Sequence, residues 1–323
     1  MPLFLGKVIF VKINHQNETK KSILSLLVIL VYSNLKAQDQ TITVTSKSNP
    51  DRSVTFTAEK KPEGTYTLVL NFKQLTNANG FGNSTFIIKY NNDNFLTLNP
   101  SNKDQGIGLS YSYSYIRGEL NPRVNPLFVY ALPYKAGKKT RPVESKFVNA
   151  TYFGATTPED WKVYHFYSDG ADTVTAVRKG TVVEINDAYD EDAKDLRYTS
   201  KTNSMIIEHA DGTLATYRGF KKGIFVKEGQ TVFPGTALGI NSMSNDRHGI
   251  SLMITYLKSA DITTARSNMK ESKSLYGFVD PYFCTTANAN GKLTNQQFYT
   301  AILPAEIIQK EMSKKELKAL NKK

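Results

Sequence analysis

Between residues 39 and 135, apolar and polar positions alternate in short runs. In Thr65-Tyr66-Thr67-Leu68-Val69-Leu70-Asn71-Phe72, the side chains of Tyr66, Leu68, Leu70 and Phe72 share one face of an extended chain, the period of a half-buried strand. Runs of the same kind cover residues 41–45, 53–57, 84–90, 108–115 and 127–134. Turn-forming groups separate them, among them Asn49-Pro50-Asp51 and Pro62-Glu63-Gly64. Short strands at this spacing predict a β-sandwich over residues 38–135, with an immunoglobulin-like arrangement as one form of it. Tyr111-Ser112-Tyr113-Ser114-Tyr115 reads as a half-exposed strand, and an aromatic surface for stacking a ligand is the alternative. Gly80-Phe81-Gly82 is a loop pair that lacks the strand-to-helix setting of a phosphate cradle.

Residues 136–160 contain Gly137-Lys138-Lys139, Arg141-Pro142 and Thr157-Pro158-Glu159 and read as a linker. Strand-like runs resume over residues 161–285. Residues 286–323 read as a C-terminal extension ending in a short basic helix. There Glu306/Lys310 and Glu311/Lys315 are i,i+4 pairs with the acid first, and Ser313-Lys314-Lys315-Glu316 is a capping box. The expected class is therefore all-β with a short C-terminal helix.

The first 37 residues change the picture of where the chain works. Lys20-Lys21 precede an apolar run from Ser22 to Tyr32, and Ala37 offers a small residue for cleavage. That order predicts a signal peptide within an N-terminal extension, and hence an exported protein, periplasmic or secreted. The run is short for a membrane span, and no later segment is apolar enough for one.

Eighteen Tyr and 17 Phe against one Trp agree with a strand-rich chain. The net charge of +12 suits a solvated basic surface or attraction to an anionic polymer. No Arg-rich stripe or nucleic-acid motif accompanies it, which argues against a DNA or RNA partner. Cys284 is the one cysteine, so neither an intramolecular disulfide nor a cysteine-based zinc site can form. G-x-S-x-G, Walker, H-E-x-x-H and EF-hand patterns are absent. Asp187, Asp190, Glu191, Asp192 and Asp195 read as a solvated hairpin insertion, with Ca²⁺ binding as the alternative.

Three stretches in the second half carry more specific information. They are Val174-Thr175-Ala176-Val177-Arg178-Lys179-Gly180-Thr181-Val182, then Asn203-Ser204-Met205-Ile206-Ile207-Glu208-His209-Ala210-Asp211-Gly212 running on to Tyr217, and Val226-Lys227-Glu228-Gly229-Gln230-Thr231-Val232-Phe233-Pro234-Gly235-Thr236-Ala237-Leu238-Gly239. Lys179-Gly180, Asp211-Gly212, Glu228-Gly229 and Pro234-Gly235 are each turn dipeptides, so the stretches read as hairpins. In order and spacing they resemble the peptidase M23 family, the LytM or lysostaphin-like domain. The resemblance covers about a third of the chain beyond the signal peptide, from about Val163 to Leu257. Biotinyl and lipoyl domains share the last turn pattern but not the Asp211-Gly212 unit. The resemblance implies a LytM-like duplicated-hairpin β domain over residues 161–285.

The family's chemistry uses zinc held by an H-x-x-x-D pair and the second His of an H-x-H, with further His residues handling protons. This chain departs from that pattern. Along the strand His248-Gly249-Ile250-Ser251, the H-x-H positions fall on Gly249 and Ser251, and Gly219 stands two residues after Tyr217 where the family keeps a His. His165 and Asp169 keep the H-x-x-x-D spacing, in a loop about four residues short of the family's. His209 matches a family His that does not bind metal. No catalytic residue and no cofactor are expected, the alternative being zinc on His165, Asp169 and His248. The resemblance implies instead a groove lined by His165, Tyr217, Arg218 and Ser251 that holds peptidoglycan or a cell-envelope protein, with Arg218 favouring an acidic ligand. An active zinc peptidoglycan endopeptidase with an altered ligand set, and an adhesive surface protein using the fold as scaffold, are the competing readings.

Overall fold

The computed structural model describes residues 42–78, 83–145, 158–190, 202–244, 246–261 and 274–321. The expected signal peptide, the Gly80-Phe81-Gly82 loop and Glu191, Asp192 and Asp195 lie outside those residues.

Twenty strands and two short helices among the described residues make an all-β protein. In chain order the strands are β1 (Ile42–Ser48), β2 (Val54–Lys60), β3 (Tyr66–Thr76), β4 (Asn83–Ile88), β5 (Asp93–Leu98), β6 (Gly108–Arg117), β7 (Val129–Ala131), β8 (Lys139–Glu144), β9 (Tyr164–Ser168) and β10 (Thr173–Thr175). They continue as β11 (Gly180–Asn186), β12 (Asn203–Glu208), β13 (Leu214–Phe220), β14 (Thr231–Val232), β15 (Ala237–Ile240), β16 (Ser242–Ser244), β17 (Arg247–Leu257), β18 (Tyr276–Phe278), β19 (Tyr282–Cys284) and β20 (Tyr299–Thr300). The helices α1 (Ala305–Gln309) and α2 (Lys314–Leu320) follow. Among the described residues no helix is long and apolar enough to cross a membrane.

The chain divides into two compact units. One comprises residues 42–61 and Leu68–Ser114, the other Pro62–Thr67 and residues 115–321. The first is a sandwich of two three-stranded sheets, β1-β2-β5 and β4-β3-β6. Phe56 of β2 joins the layers, its ring 5.1 Å from Tyr111 and 5.7 Å from Phe72, both edge-on. Tyr111 and Tyr113 are buried, and their hydroxyls donate to the carbonyls of Val44 and Ile42. They face the core, so the strand is not half-exposed and offers no aromatic surface to a ligand. Six described strands make this sandwich, one fewer than the immunoglobulin constant-type fold.

The second unit is organised by one ten-stranded sheet, β14-β11-β12-β13-β17-β9-β8-β20 in its main path, with β16 and β18 also paired to β17. Its core lies against one face of that sheet and includes Tyr164, Phe166, Met205, Ile207, Tyr217, Leu252 and Phe283. Two sequence expectations are corrected here. Residues 139–144 were expected within a linker but form β8, hydrogen-bonded between β9 and β20, because Thr140 and Pro142 turn to the buried side. The unit therefore begins well before residue 161 and takes in β20 of the extension as well. The turn expected at Lys179-Gly180 is not a hairpin either. β10 pairs with β15 while β11 pairs with β12 and β14, so the first and third stretches interdigitate. Gly180 is needed for close approach: a Cβ there would lie 2.5 Å from the Glu208 carbonyl.

Asp211-Gly212 does close the hairpin between β12 and β13. Gly212 has φ +79°, and the Asp211 carboxylate accepts from the Thr213 amide and hydroxyl. The capping box at Ser313 is present, with Glu316 accepting from the Ser313 amide. The extension is fastened through two residues of the segment between β10 and β11. Arg178 is forked onto Glu311 at 3.0 and 2.7 Å, and Lys179 reaches Glu316 at 2.8 Å.

Candidate functional site

The sheet has one face against the core; on the other, termed the open face, the described side chains at the centre are half-buried. Side chains alternate between the faces, so register decides which residues meet. On β17, Ser251 pairs with His165 of β9 on one side and with Arg218 of β13 on the other. Arg218 pairs in turn with Ser204 of β12, and His165 with Val143 of β8. Five half-buried side chains thus form one row across five strands: Val143, His165, Ser251, Arg218 and Ser204.

Three of the four expected groove residues meet in this row. Tyr217 does not. It precedes Arg218 by one residue, so it points into the core, where it has no exposure and its hydroxyl accepts from the Val177 amide at 2.9 Å. Burial pushes its phenol up, which keeps it neutral. A groove assignment made from motif position alone missed the alternation.

Electrostatics in the row favour a neutral imidazole beside a fixed cation. Burial, and then the Arg218 guanidinium, hold the pKa of His165 below its ordinary value. One rung along, Gly249 pairs with Tyr167, and Tyr167 pairs with Arg141. A Cβ on Gly249 would meet the Phe166 carbonyl at 2.9 Å and the Tyr167 ring at 3.2 Å. The space a larger side chain would need at Gly249 is occupied by Tyr167. Gly219 sits in an irregularity of the β12–β13 ladder with φ +103°, a conformation that an L side chain rarely adopts.

The residues expected as the alternative metal set do not fit a zinc ion. His248 pairs with Ser168 and Ser251 with His165, an odd separation that puts His248 and His165 on opposite faces of the sheet. The alternative zinc set of His165, Asp169 and His248 is corrected by this parity. Asp169 is exposed and follows His165 by four residues of extended chain, roughly 13 Å along the strand direction, whereas zinc ligands lie at about 2 Å from the ion. Among the described residues, no group of three or more His, Cys, Asp or Glu could hold a metal ion.

The remaining candidates have structural roles. His209 is buried in the β12–β13 loop, its Nδ1 2.8 Å from the Thr213 hydroxyl, and burial followed by Arg178 holds it neutral. Asp187 accepts from the Gly223 and Ile224 amides, and Asp190 pairs with Lys222, so each already serves a loop. Cys284 is buried.

The sequence reading missed Arg141, Tyr167, Arg247 and Phe298, which flank the row on the open face. Tyr167 was within reach of inference, since it follows His165 by two residues of a strand and must share its face. Arg141 was not, because a residue assigned to a linker has no face.

No family model matches the chain, and neither does any curated protein. Solved structures that are similar in part include the following two. A metalloprotease described as a novel M23 enzyme, Pseudoalterin from the deep sea, matches at 14% identity with a TM-score of 0.31, over 55% of this chain and 96% of its own. Csd3 from Helicobacter pylori matches at 12% identity with a TM-score of 0.26, over 88% of this chain and 78% of its own. At these scores neither likeness carries an argument about what this chain does.

Proposed function

We propose that the chain is a non-catalytic module of the cell envelope, built on a LytM-like sheet, that holds a carboxylate-bearing peptide of peptidoglycan on the open face. The observation that carries the reading is the row His165–Ser251–Arg218 on adjacent strands. It offers a hydroxyl, a neutral imidazole and a guanidinium, which are donors for a carboxylate. It offers no second ligand for a metal beside His165 and no carboxylate base. The three sequence stretches supply the link to the envelope. A partner cell-wall enzyme with an acidic segment would present the same chemistry, and competition with stem peptides separates the two occupants.

The test is co-sedimentation of the full chain with insoluble peptidoglycan, alongside assay of released fragments and of zinc per chain. Binding lowered about tenfold by Arg218→Gln or His165→Leu, with unchanged melting, no fragments and zinc near zero, is the expected result. One zinc per chain, lost on replacing His165, together with released fragments, would make the protein an enzyme. Absence of co-sedimentation would remove the peptidoglycan assignment.

A further inference from the structure

The open face holds a second arrangement beside the carboxylate row. The Tyr167 ring has two guanidinium groups near it, Arg141 at 5.8 Å and Arg247 at 5.6 Å from its centroid. Phe298 directly precedes β20, whose Tyr299 and Thr300 pair with Thr140 and Lys139 of β8. Phe298 is 52% exposed, with the Lys139 ammonium 4.6 Å and the Arg141 guanidinium 5.9 Å from its ring.

Two kinds of cation occur in the unit, and Lys310, over the Phe128 ring, is of the same kind as these. Arg117, Lys162, Arg178, Lys179 and Lys292 are each matched to a carboxylate. Among the described residues, Lys139, Arg141 and Arg247 make no side-chain ion pair or hydrogen bond and are held by rings instead. A ring fixes the direction of a cation and leaves its hydrogen-bond donors unused, which lowers the entropy lost when an anion arrives. The neighbouring acids, Asp169 at the end of β9 and Asp246 before β17, are exposed and pair with none of the three.

Arg141 and Arg247 lie on β8 and β17, with β9 between them, so their backbones are about 10 Å apart across the strands. Cations spread in this way suit a ligand that carries anions at intervals, along a body that can lie on a pleated surface, because each guanidinium can then take a carboxylate of its own. A sugar ring presents a flat face of C–H bonds, and the exposed Phe298 ring is a surface for it. One exposed ring is too little apolar area for membrane insertion.

We infer that the face formed by Lys139, Arg141, Tyr167, Arg247 and Phe298 binds a carboxylated polysaccharide strand, with Arg141 and Arg247 each taking a carboxylate and Phe298 packing under a sugar ring. The preference for a polysaccharide over other polyanions rests on the envelope reading above. The site is distinct from the His165–Ser251–Arg218 row, although both lie on one face.

The test uses the full chain and polygalacturonate as the probe, with neutral dextran as control, in a titration at two salt concentrations. The chain binds polygalacturonate, more weakly at higher salt, and does not bind dextran. Arg141→Ala with Arg247→Ala lowers affinity at least tenfold without changing the melting temperature, and Phe298→Ala lowers it by a smaller factor. Lys47→Ala with Lys103→Ala, exposed lysines of the other unit, leaves it unchanged. Absence of polygalacturonate binding overturns the inference, as does equal loss in both double variants, which would mean general basicity. Tighter binding of polyglutamate, single-stranded DNA or anionic vesicles through the same arginines also overturns it. Failure here with retained peptidoglycan co-sedimentation sinks this inference alone. Loss of co-sedimentation with retained polygalacturonate binding sinks only the proposed function.

Discussion

Replacing Arg178 by Met removes a charge from the place where the C-terminal extension meets the body, while keeping the apolar stem. Arg178 is 3% exposed and lies 3.7 Å from the Phe128 ring. Its guanidinium pairs with Glu311 through two nitrogens and with Asp211 at 2.8 Å. Glu311 and Asp211 are themselves 20% and 13% exposed, so the variant leaves two largely buried carboxylates without their cation. Removing one partner of such a network costs about 3–5 kcal/mol. For a unit of this size that corresponds to a fall in Tm of roughly 6–20 °C.

The pH dependence follows from Asp211. Burial raises its carboxyl, but Arg178 and hydrogen bonds from Thr213 outweigh that and hold it below its ordinary value. A depressed folded-state pKa contributes stability that is fully present above the unfolded value of about 4 and is lost as pH falls through the folded value. The gap in Tm between wild type and Arg178→Met should be widest near pH 7 and should narrow below pH 4. Differential scanning calorimetry at pH 7, 5 and 3 measures it. The double variant Arg178→Met/Glu311→Leu should recover part of the loss. A single variant melting within about 2 °C of wild type at pH 7, or a gap that does not depend on pH, would refute the network argument.

Other consequences can be checked separately. Gly219→Ala forces a side chain into φ +103° and should cost about 1–3 kcal/mol in denaturant unfolding. The His165 ring should titrate below the ordinary histidine range by NMR, and Arg218→Gln should move its midpoint upward. Because the unfolded chain binds that proton more tightly, His165 subtracts stability as pH falls below about 6.5. Glu316 is held down to about 2 by hydrogen bonding from Lys179 and Ser313, so Glu316→Gln should raise amide exchange over residues 313–321 at neutral pH.

Much of the architecture is legible in the sequence alone. Alternation in Thr65–Phe72 named a strand, and Asp211-Gly212 named the hairpin between β12 and β13, because both are local properties of two to eight residues. The capping box at Ser313 is equally local. Tyr111-Ser112-Tyr113 misled for the opposite reason: alternation in polarity implies one wet face only if nothing covers it, and here both faces are covered.

Pairing between distant segments could not be read from the chain. Whether residues 139–144 are a linker or β8 depends on a vacant strand edge at β9, which no local pattern records. The partner of β10 is β15, more than sixty residues on, although Gly180 lies close enough to suggest a hairpin. The candidate site depends most on this kind of information. The sequence resemblance by itself set Gly249, Ser251 and Gly219 at the positions where the M23 family keeps histidines. Register alone placed Ser251 between His165 and Arg218, turned Tyr217 and His248 to the other side, and set Tyr167 above Gly249 between two arginines. Side-chain chemistry is written residue by residue, but on a sheet a shift of one position exchanges its two faces, and only long-range hydrogen bonding chooses between them.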